Sequence, residues 1–385
     1  MIGINYTLEI EVLTPVHIGS GTVLKRNVDF VEQNGVTYVL NEQHVLDEFW
    51  TDDPRQQDLV MSQLPGQLVR DMDLQRRPEL VQRAHRGMPQ LGELREHIGD
   101  VFGQAYIPGS SLKGALRTAL LRTVLEGVKR RVLTRQDIGT PMNDVRDARA
   151  AKSAASGLER QLTGINPNYD VFRGVQISDT QAVAGALAMC NVLVAAPTVN
   201  SPGGAAVSVE ILKPGTKLSA TLKLDQFVLQ TMATALNLDS NVVKTVKTFV
   251  RAARFTVDDR ARKEFAYHKA RQDTQAAQFY SSVSNDIAAL NQQKEANTFY
   301  LQVGYAGGWR SKTLLGGLSD DEANPESALL AQVVNDFYLN RGGKAELPPE
   351  MVAGQFFPKL RHLMLNAQGG PSVPLGWLKV KSVRR

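Results

Sequence analysis

The chain has 385 residues, more than one hydrophobic core usually supports, so two domains are expected. Its 44 Lys and Arg against 39 Asp and Glu leave a net +5, which permits a polyanionic partner without requiring one. A single cysteine, Cys190, excludes an intrachain disulfide, a multi-cysteine zinc site and a CxxC redox pair.

In chain order, Ile4, Tyr6, Leu8, Ile10 and Val12 alternate with polar residues, which predicts a half-buried strand ended by Thr14-Pro15. Residues 28–32 and 36–40 flank Gln33-Asn34-Gly35, a hairpin signal because Asn and Gly both tolerate positive φ. From about 41 to 101 the chain is charged, Gln-rich and Pro-punctuated, which predicts several short helices inserted between strands. A helix should open at Ile107-Pro108-Gly109-Ser110, with Leu112, Leu116, Leu120 and Val124 on its apolar side. Residues 146–161 read as a surface helix or a mobile loop, and 174–179 and 190–196 as strands.

A boundary is expected near 197–205, where Pro202-Gly203-Gly204 interrupts the pattern. Beyond it, 207–212 and 217–224 predict a hairpin around Lys213-Pro214-Gly215-Thr216. Helical sequence follows over about 226–297, then a strand at 299–304, a glycine-rich loop, a helix at 326–340 and a strand at 375–380. Hairpins mixed with helices, without a βαβ series, predict two α+β domains over 1–200 and 205–385, each carrying a helical insertion. The amino-terminal residues lack a secretory leader and no run is long enough to span a membrane, so a cytoplasmic protein is expected.

Four segments could carry chemistry. In Thr14-Pro15-Val16-His17-Ile18-Gly19-Ser20-Gly21, glycines let a ligand approach the backbone, although alone the segment also reads as a tight turn. In Gly109-Ser110-Ser111-Leu112-Lys113-Gly114-Ala115-Leu116-Arg117, Ser110 or Ser111 can cap the helix. Lys113 and Arg117 share a face beside the helix's positive end, where a phosphate contact is expected. Ala115 stands where a Walker A loop requires lysine, which excludes that nucleotide site. The loop Gly307-Gly308-Trp309-Arg310-Ser311-Lys312-Thr313 offers a stacking ring and cations for RNA, though Trp309 could equally pack inward. Lys244, Lys247, Arg251 and Arg254 form one helical stripe without an intervening acid, which suits phosphates or plain solvation equally.

The six histidines have no paired-ligand spacing, so no metal or cofactor is expected. His17 could act as a general base in metal-free RNA cleavage, with Asp29 or Lys113 nearby, although a histidine packed at the end of a strand is the commoner arrangement.

LTPVHIGSG (13–21), YIPGSSLKGALRTAL (106–120), GYAGGWRSKT (304–313) and PLGWLKV (374–380) together resemble the RAMP superfamily, the RNA-recognition-motif-like subunits of CRISPR effector complexes. Motif order and chain length narrow the resemblance to the subunit-five family of type III-A (Csm) complexes. It implies two ferredoxin-like domains and a non-catalytic role in antiviral defence, capping the 3′ end of the guide RNA (crRNA). It also implies contact with the backbone RAMP subunit, indirect contact with target RNA, and host nucleases as partners in guide maturation. RNA contacts would fall on His17, Gly19 to Gly21, Ser110 to Arg117 and Gly307 to Thr313. Backbone subunits cut target RNA with an aspartate after their HIG motif. Asp29 lies at a comparable distance from His17 but at the start of a hairpin strand, so it is expected to be structural. A RAMP endoribonuclease using Asp29 or His17 is the alternative, and a scaffold whose loops contact only protein is a third reading.

Overall fold

In the computed structural model, residues 3–128, 155–164, 167–195, 206–235, 245–318, 326–336 and 361–385 are described. The chain is α+β, built on two large sheets and one small one. The first has the order β11-β14-β1-β10-β7 and is antiparallel throughout. Its strands are β1 (Gly3–Val12), β7 (Val175–Ile177), β10 (Lys217–Asp225), β11 (Thr298–Gln302) and β14 (Trp377–Arg384). The second has the order β13-β12-β8-β9-β6-β2, antiparallel except between β6 and β9. It comprises β2 (Gly19–Lys25), β6 (Glu93–His97), β8 (Leu187–Ala195), β9 (Val207–Leu212), β12 (Arg361–Leu365) and β13 (Pro371–Pro374).

Period-two alternation in β1 puts Tyr6, Leu8, Ile10 and Val12 on the buried face. Against that face lie α4 (Gly109–Val128), through Leu112, Leu116 and Leu120, and α7 (Val246–Ala270), through Phe249, Val250 and Ala253. Helix α6 (Gln226–Ala235) follows β10, and α7 returns as α8 (Thr274–Gln292). The Asn34-Gly35 turn forms as expected, with φ of 52° and 76°, and joins β3 (Phe30–Gln33) to β4 (Val36–Leu40).

Three expectations are corrected. Residues 207–224 are not a hairpin: β9 and β10 belong to different sheets. The chain after β1 binds both strands, since Val12 N–H donates to Thr216 O, Gly215 N–H to Val12 O, and Val16 exchanges both bonds with Leu212. Lys213 to Thr216 is thus a crossing between sheets.

Within 41–101, helices α1 (Glu42–Phe49), α2 (Pro54–Ser62) and α3 (Pro65–Leu68) form, but β5 (Val81–Arg86) and β6 are strands. Their alternation was obscured because Arg83 and His85 turn inward onto a buried acid, so the inner face is polar. The glycine-rich loop contains a one-turn helix over Gly308–Lys312.

The expected boundary at 197–205 lies outside the described residues, as do 129–154. Strands from both sides of it share each large sheet. The basic carboxy-terminal residues are a sheet strand, with Lys379 and Lys381 opposite Glu11 and Glu9 of β1. Among the described residues no helix is long and apolar enough to cross a membrane.

Candidate RNA-binding surface

The chain leaves β1 through Thr14-Pro15 and meets two distant loops. Leu13 N–H donates to Trp377 O at 2.9 Å, Gly376 N–H to Pro15 O at 2.8 Å, and Tyr305 N–H to His17 O at 2.7 Å. Two glycines make this junction possible. Gly304 has φ +71°, and a Cβ there would lie 2.2 Å from His17 O; Gly376 has φ +88°, with Val303 O at 2.3 Å. Three of the four sequence motifs therefore meet at one place.

The fourth reaches it from behind. Arg122 of α4 is buried and donates to the carbonyls of Arg310 and Thr313. The amino end of α4 lies elsewhere, since Ser111 and Arg122 are about 16 Å apart along the helix.

Over the junction runs a groove of about 450 Å³ between Gly19–Val23, Arg95–Glu96 and Gly304–Tyr305, with His17 at its base. Gly19, Ser20 and Gly21 are exposed. The Ser20 hydroxyl donates to Glu96 at 2.8 Å. The Arg95 guanidinium lies 5.4 Å from the centre of the Tyr305 ring, so a cation and an aromatic face stand together at the groove wall. The His17 ring is buried and donates through Nδ1 to Glu210 O at 2.7 Å. Burial pushes its pKa below the ordinary histidine value, which the bond to Glu210 only partly offsets.

Residues 9–345 match the RAMP superfamily profile. The chain belongs to the RAMP superfamily.

Two Mycobacterium tuberculosis proteins, each described as "CRISPR system Cms protein Csm5", are 28% identical over 143 residues. That match covers 35% of this RAMP chain and 36% of theirs, so it spans about a third of the curated relatives' length. A chain in a cryo-EM structure of a type III-A Csm–crRNA–target RNA ternary complex superposes with TM-score 0.64 at 18% identity, over 98% of this chain and all of that one. The crystal structure of T. onnurineus Csm5 superposes with TM-score 0.59 at 18% identity, over 96% and 99%. At such identities the likeness is one of fold.

Several expected contacts find other work in this RAMP fold. Asp179, not Ser110 or Ser111, meets the start of α4, accepting from Gly109 N–H at 2.7 Å; a Cβ on Gly109 would strike Ile177 O at 2.3 Å. Ser110 is exposed, while Ser111 and Lys113 are half-buried, and burial lowers the Lys113 pKa. Arg117 is held by Glu159 at 2.9 Å and Asp170 at 3.0 Å, tying α4 to α5 (Ser156–Thr163) and the turn after it. Its expected phosphate contact is replaced by two carboxylates 42 and 53 residues away.

Trp309 packs half-buried against the main core rather than standing free as a stacking face. Arg310 is buried, 3.5 Å from Glu264. The Ser311 and Thr313 hydroxyls donate to Gly307 O and Trp309 O. Gly307 is half-buried, leaving Gly308 and Lys312 as the exposed part of the loop.

The basic stripe also divides. Lys244 lies outside the described residues, and Lys247 and Arg251 are exposed. Arg254 is buried and donates to Thr298 O, Asn291, Glu295 O and the Glu295 carboxylate.

The sequence reading missed what supports the groove. Glu210 is fully buried and accepts from Arg83 at 2.6 Å, His85 Nε2 at 2.8 Å and His97 N–H at 3.0 Å. Burial alone would raise its pKa, but His85 and Arg83 outweigh it and hold the carboxyl at about 2. Arg83 also binds Glu96 at 2.9 Å, completing a polar path from Ser20 to the interior. The available signal was one acid inside an apolar strand, Val207-Ser208-Val209-Glu210-Ile211-Leu212. A second buried acid, Glu264, meets Arg361 at 2.6 Å behind the glycine loop.

Proposed function

We propose that this RAMP chain is a non-catalytic, cytoplasmic guide-RNA-binding subunit of a type III-A CRISPR (Csm) complex. It caps the 3′ end of the crRNA, contacts the backbone subunit and supports crRNA maturation with host nucleases. The observation carrying this reading is the meeting of three motifs at one groove with exposed glycine backbone, an Arg95–Tyr305 pair and a cation at Lys312 nearby. Such a surface suits a phosphodiester chain better than a small metabolite, because its recognition elements are shallow, cationic and sequence-tolerant. The partners named with the superposing Csm complex give the same direction.

Asp29 supports the non-catalytic part. Its carboxylate accepts from Lys25 N–H at 2.7 Å and its own N–H donates to Lys25 O, closing the turn between β2 and β3. The test is one gel with labelled, guide-like single-stranded RNA, with and without Mg²⁺, read for both shift and cleavage. A salt-sensitive shift without cleavage is expected. Cleavage lost in Asp29→Ala or His17→Ala would replace this reading with a RAMP endoribonuclease.

A further inference from the structure

The accessory module around β3, β4 and β5 has its own small core of Val31, Leu40, Val45, Val69, Leu74 and Leu80. Helix α3 anchors it: Gly66 N–H donates to Asn27 O, and a Cβ on Gly66 would sit 2.6 Å from the Asn27 Cα. Helix α2 is different. Of its nine residues only Val60 is buried.

Yet its start is carefully built. Asp53 Oδ1 accepts from Arg55 N–H at 3.0 Å, Pro54 occupies the first turn, and Gln57 Nε2 donates to Thr51 O at 2.7 Å. Nine residues make a marginal helix in water without tertiary packing. This one instead presents Leu59 at 59% exposure and Met61 at 66%, flanked by Trp50 at 55% and Leu64 at 44%. Four large apolar side chains within fifteen residues are more than scattered surface hydrophobes.

Charge selects the occupant. Between 42 and 64 the chain has six acids and one base, Arg55, although the whole protein is basic. Glu42, Asp47, Glu48, Asp52, Asp53 and Asp58 are all exposed, and among the described ion pairs only Glu48 has a basic partner, Arg77 at 2.6 Å. An acidic rim repels a phosphodiester backbone, so this face is not an extension of the RNA groove. It complements an apolar protein groove edged with Lys and Arg, into which a helix can lay its side chains.

We propose that α2 and Trp50 form a docking surface for a neighbouring protein subunit of the same ribonucleoprotein, one whose contact groove is apolar and rimmed with basic residues. The proposal rests on the subunit reading above, and gives a role to an insertion that RNA binding leaves unused.

The test reconstitutes the effector from its own other protein subunits and guide RNA, adding wild-type chain, Leu59→Ser with Met61→Ser, or Asp52→Lys with Asp58→Lys. All these side chains are exposed, so a thermal melt and the RNA shift of each isolated variant should match wild type. Incorporation, read by sedimentation, should fall at least tenfold for both variants, and wild-type incorporation should weaken with salt. Undiminished incorporation of both variants beside normal wild-type entry would overturn the docking proposal alone. Failure of the wild-type chain to enter the complex would refute the subunit reading, and docking with it. Loss of RNA binding in the Leu59/Met61 variant with normal incorporation would assign the face to RNA and also overturn the proposal.

Discussion

Gly304 and Glu210 concentrate the demands of the groove in two side-chain positions, one without a Cβ and one with a buried charge. Gly304→Ala combines a left-handed backbone with a Cβ only 2.2 Å from His17 O, so the junction of the first and third motifs must open. A loss of roughly 2 kcal/mol or more is expected in urea unfolding, with weakened RNA binding. Gly21→Ala, also at positive φ but with open space around it, should cost less. Glu210→Gln leaves Arg83 and His85 without their shared carboxylate in a buried setting. Breaking such a cluster costs on the order of 3–5 kcal/mol, measurable as a lowered denaturant midpoint. Glu96→Gln, half-exposed, should cost far less. Glycine-rich motifs were legible in the sequence because glycine is a residue-level signal. The Glu210 cluster was not, because Arg83 and His85 lie on β5 of the small sheet and Glu210 on β9 of the second large sheet, and packing between sheets rather than spacing brings them together.

Helices α4 and α7 separate cations that fold the protein from cations left exposed, such as Lys247 and Arg251. Both looked like phosphate-binding stripes, since Lys113 and Arg117, or Lys247, Arg251 and Arg254, share a face. Periodicity specifies the face but not what covers it. Asp170 and Glu159 cover Arg117, and the chain entering β11 covers Arg254. Accordingly, Arg117→Ala and Arg254→Ala should lower thermal stability and leave the salt dependence of RNA binding unchanged. Lys312→Ala and Arg95→Ala should leave the melt unchanged and lower affinity across RNA sequences. Each should reduce the slope of log affinity against log salt by about one. Titration of RNA binding at three salt concentrations distinguishes the two classes; equal slopes for all four variants would contradict the division. The expected hairpin at 207–224 failed for a related reason: each strand finds a different partner, β9 pairing with the preceding β8 and β10 with β1 and β7.

For the whole molecule, buried titratable groups under the groove couple stability to pH. Burial holds the His97 pKa at about 4 and also lowers that of His17. In the unfolded chain each takes up a proton near the ordinary value of about 6.5, so between about 6.5 and 4 the unfolded state binds more protons. Stability therefore rises with pH across this window and falls on acidification, by up to about 1.4 kcal/mol per pH unit per histidine. Below that window Glu210, held at about 2, continues the loss as the unfolded carboxylate protonates first. Urea midpoints at pH 7.5, 6 and 5 should decline steadily, and His97→Asn should flatten the decline whatever its absolute stability. A pH-independent midpoint over 5–7 would remove the histidines from this account.

The sequence by itself determined the superfamily, the α+β class, the β1 alternation, the Asn34-Gly35 turn and the helix after Pro108. These depend on local conformational preference and on motifs contiguous in the chain. Only tertiary structure decided that β9 and β10 part into different sheets, that strands on both sides of the expected boundary share each large sheet, and that Arg117, Arg254 and Arg310 turn inward. A side chain's charge is written in the sequence, but its electrostatic partner is set by tertiary packing across a hundred residues or more, as between Arg83 of β5 and Glu210 of β9 in different sheets. Whether a cation meets phosphate or a buried carboxylate follows from that packing, because an acid already in contact satisfies it first.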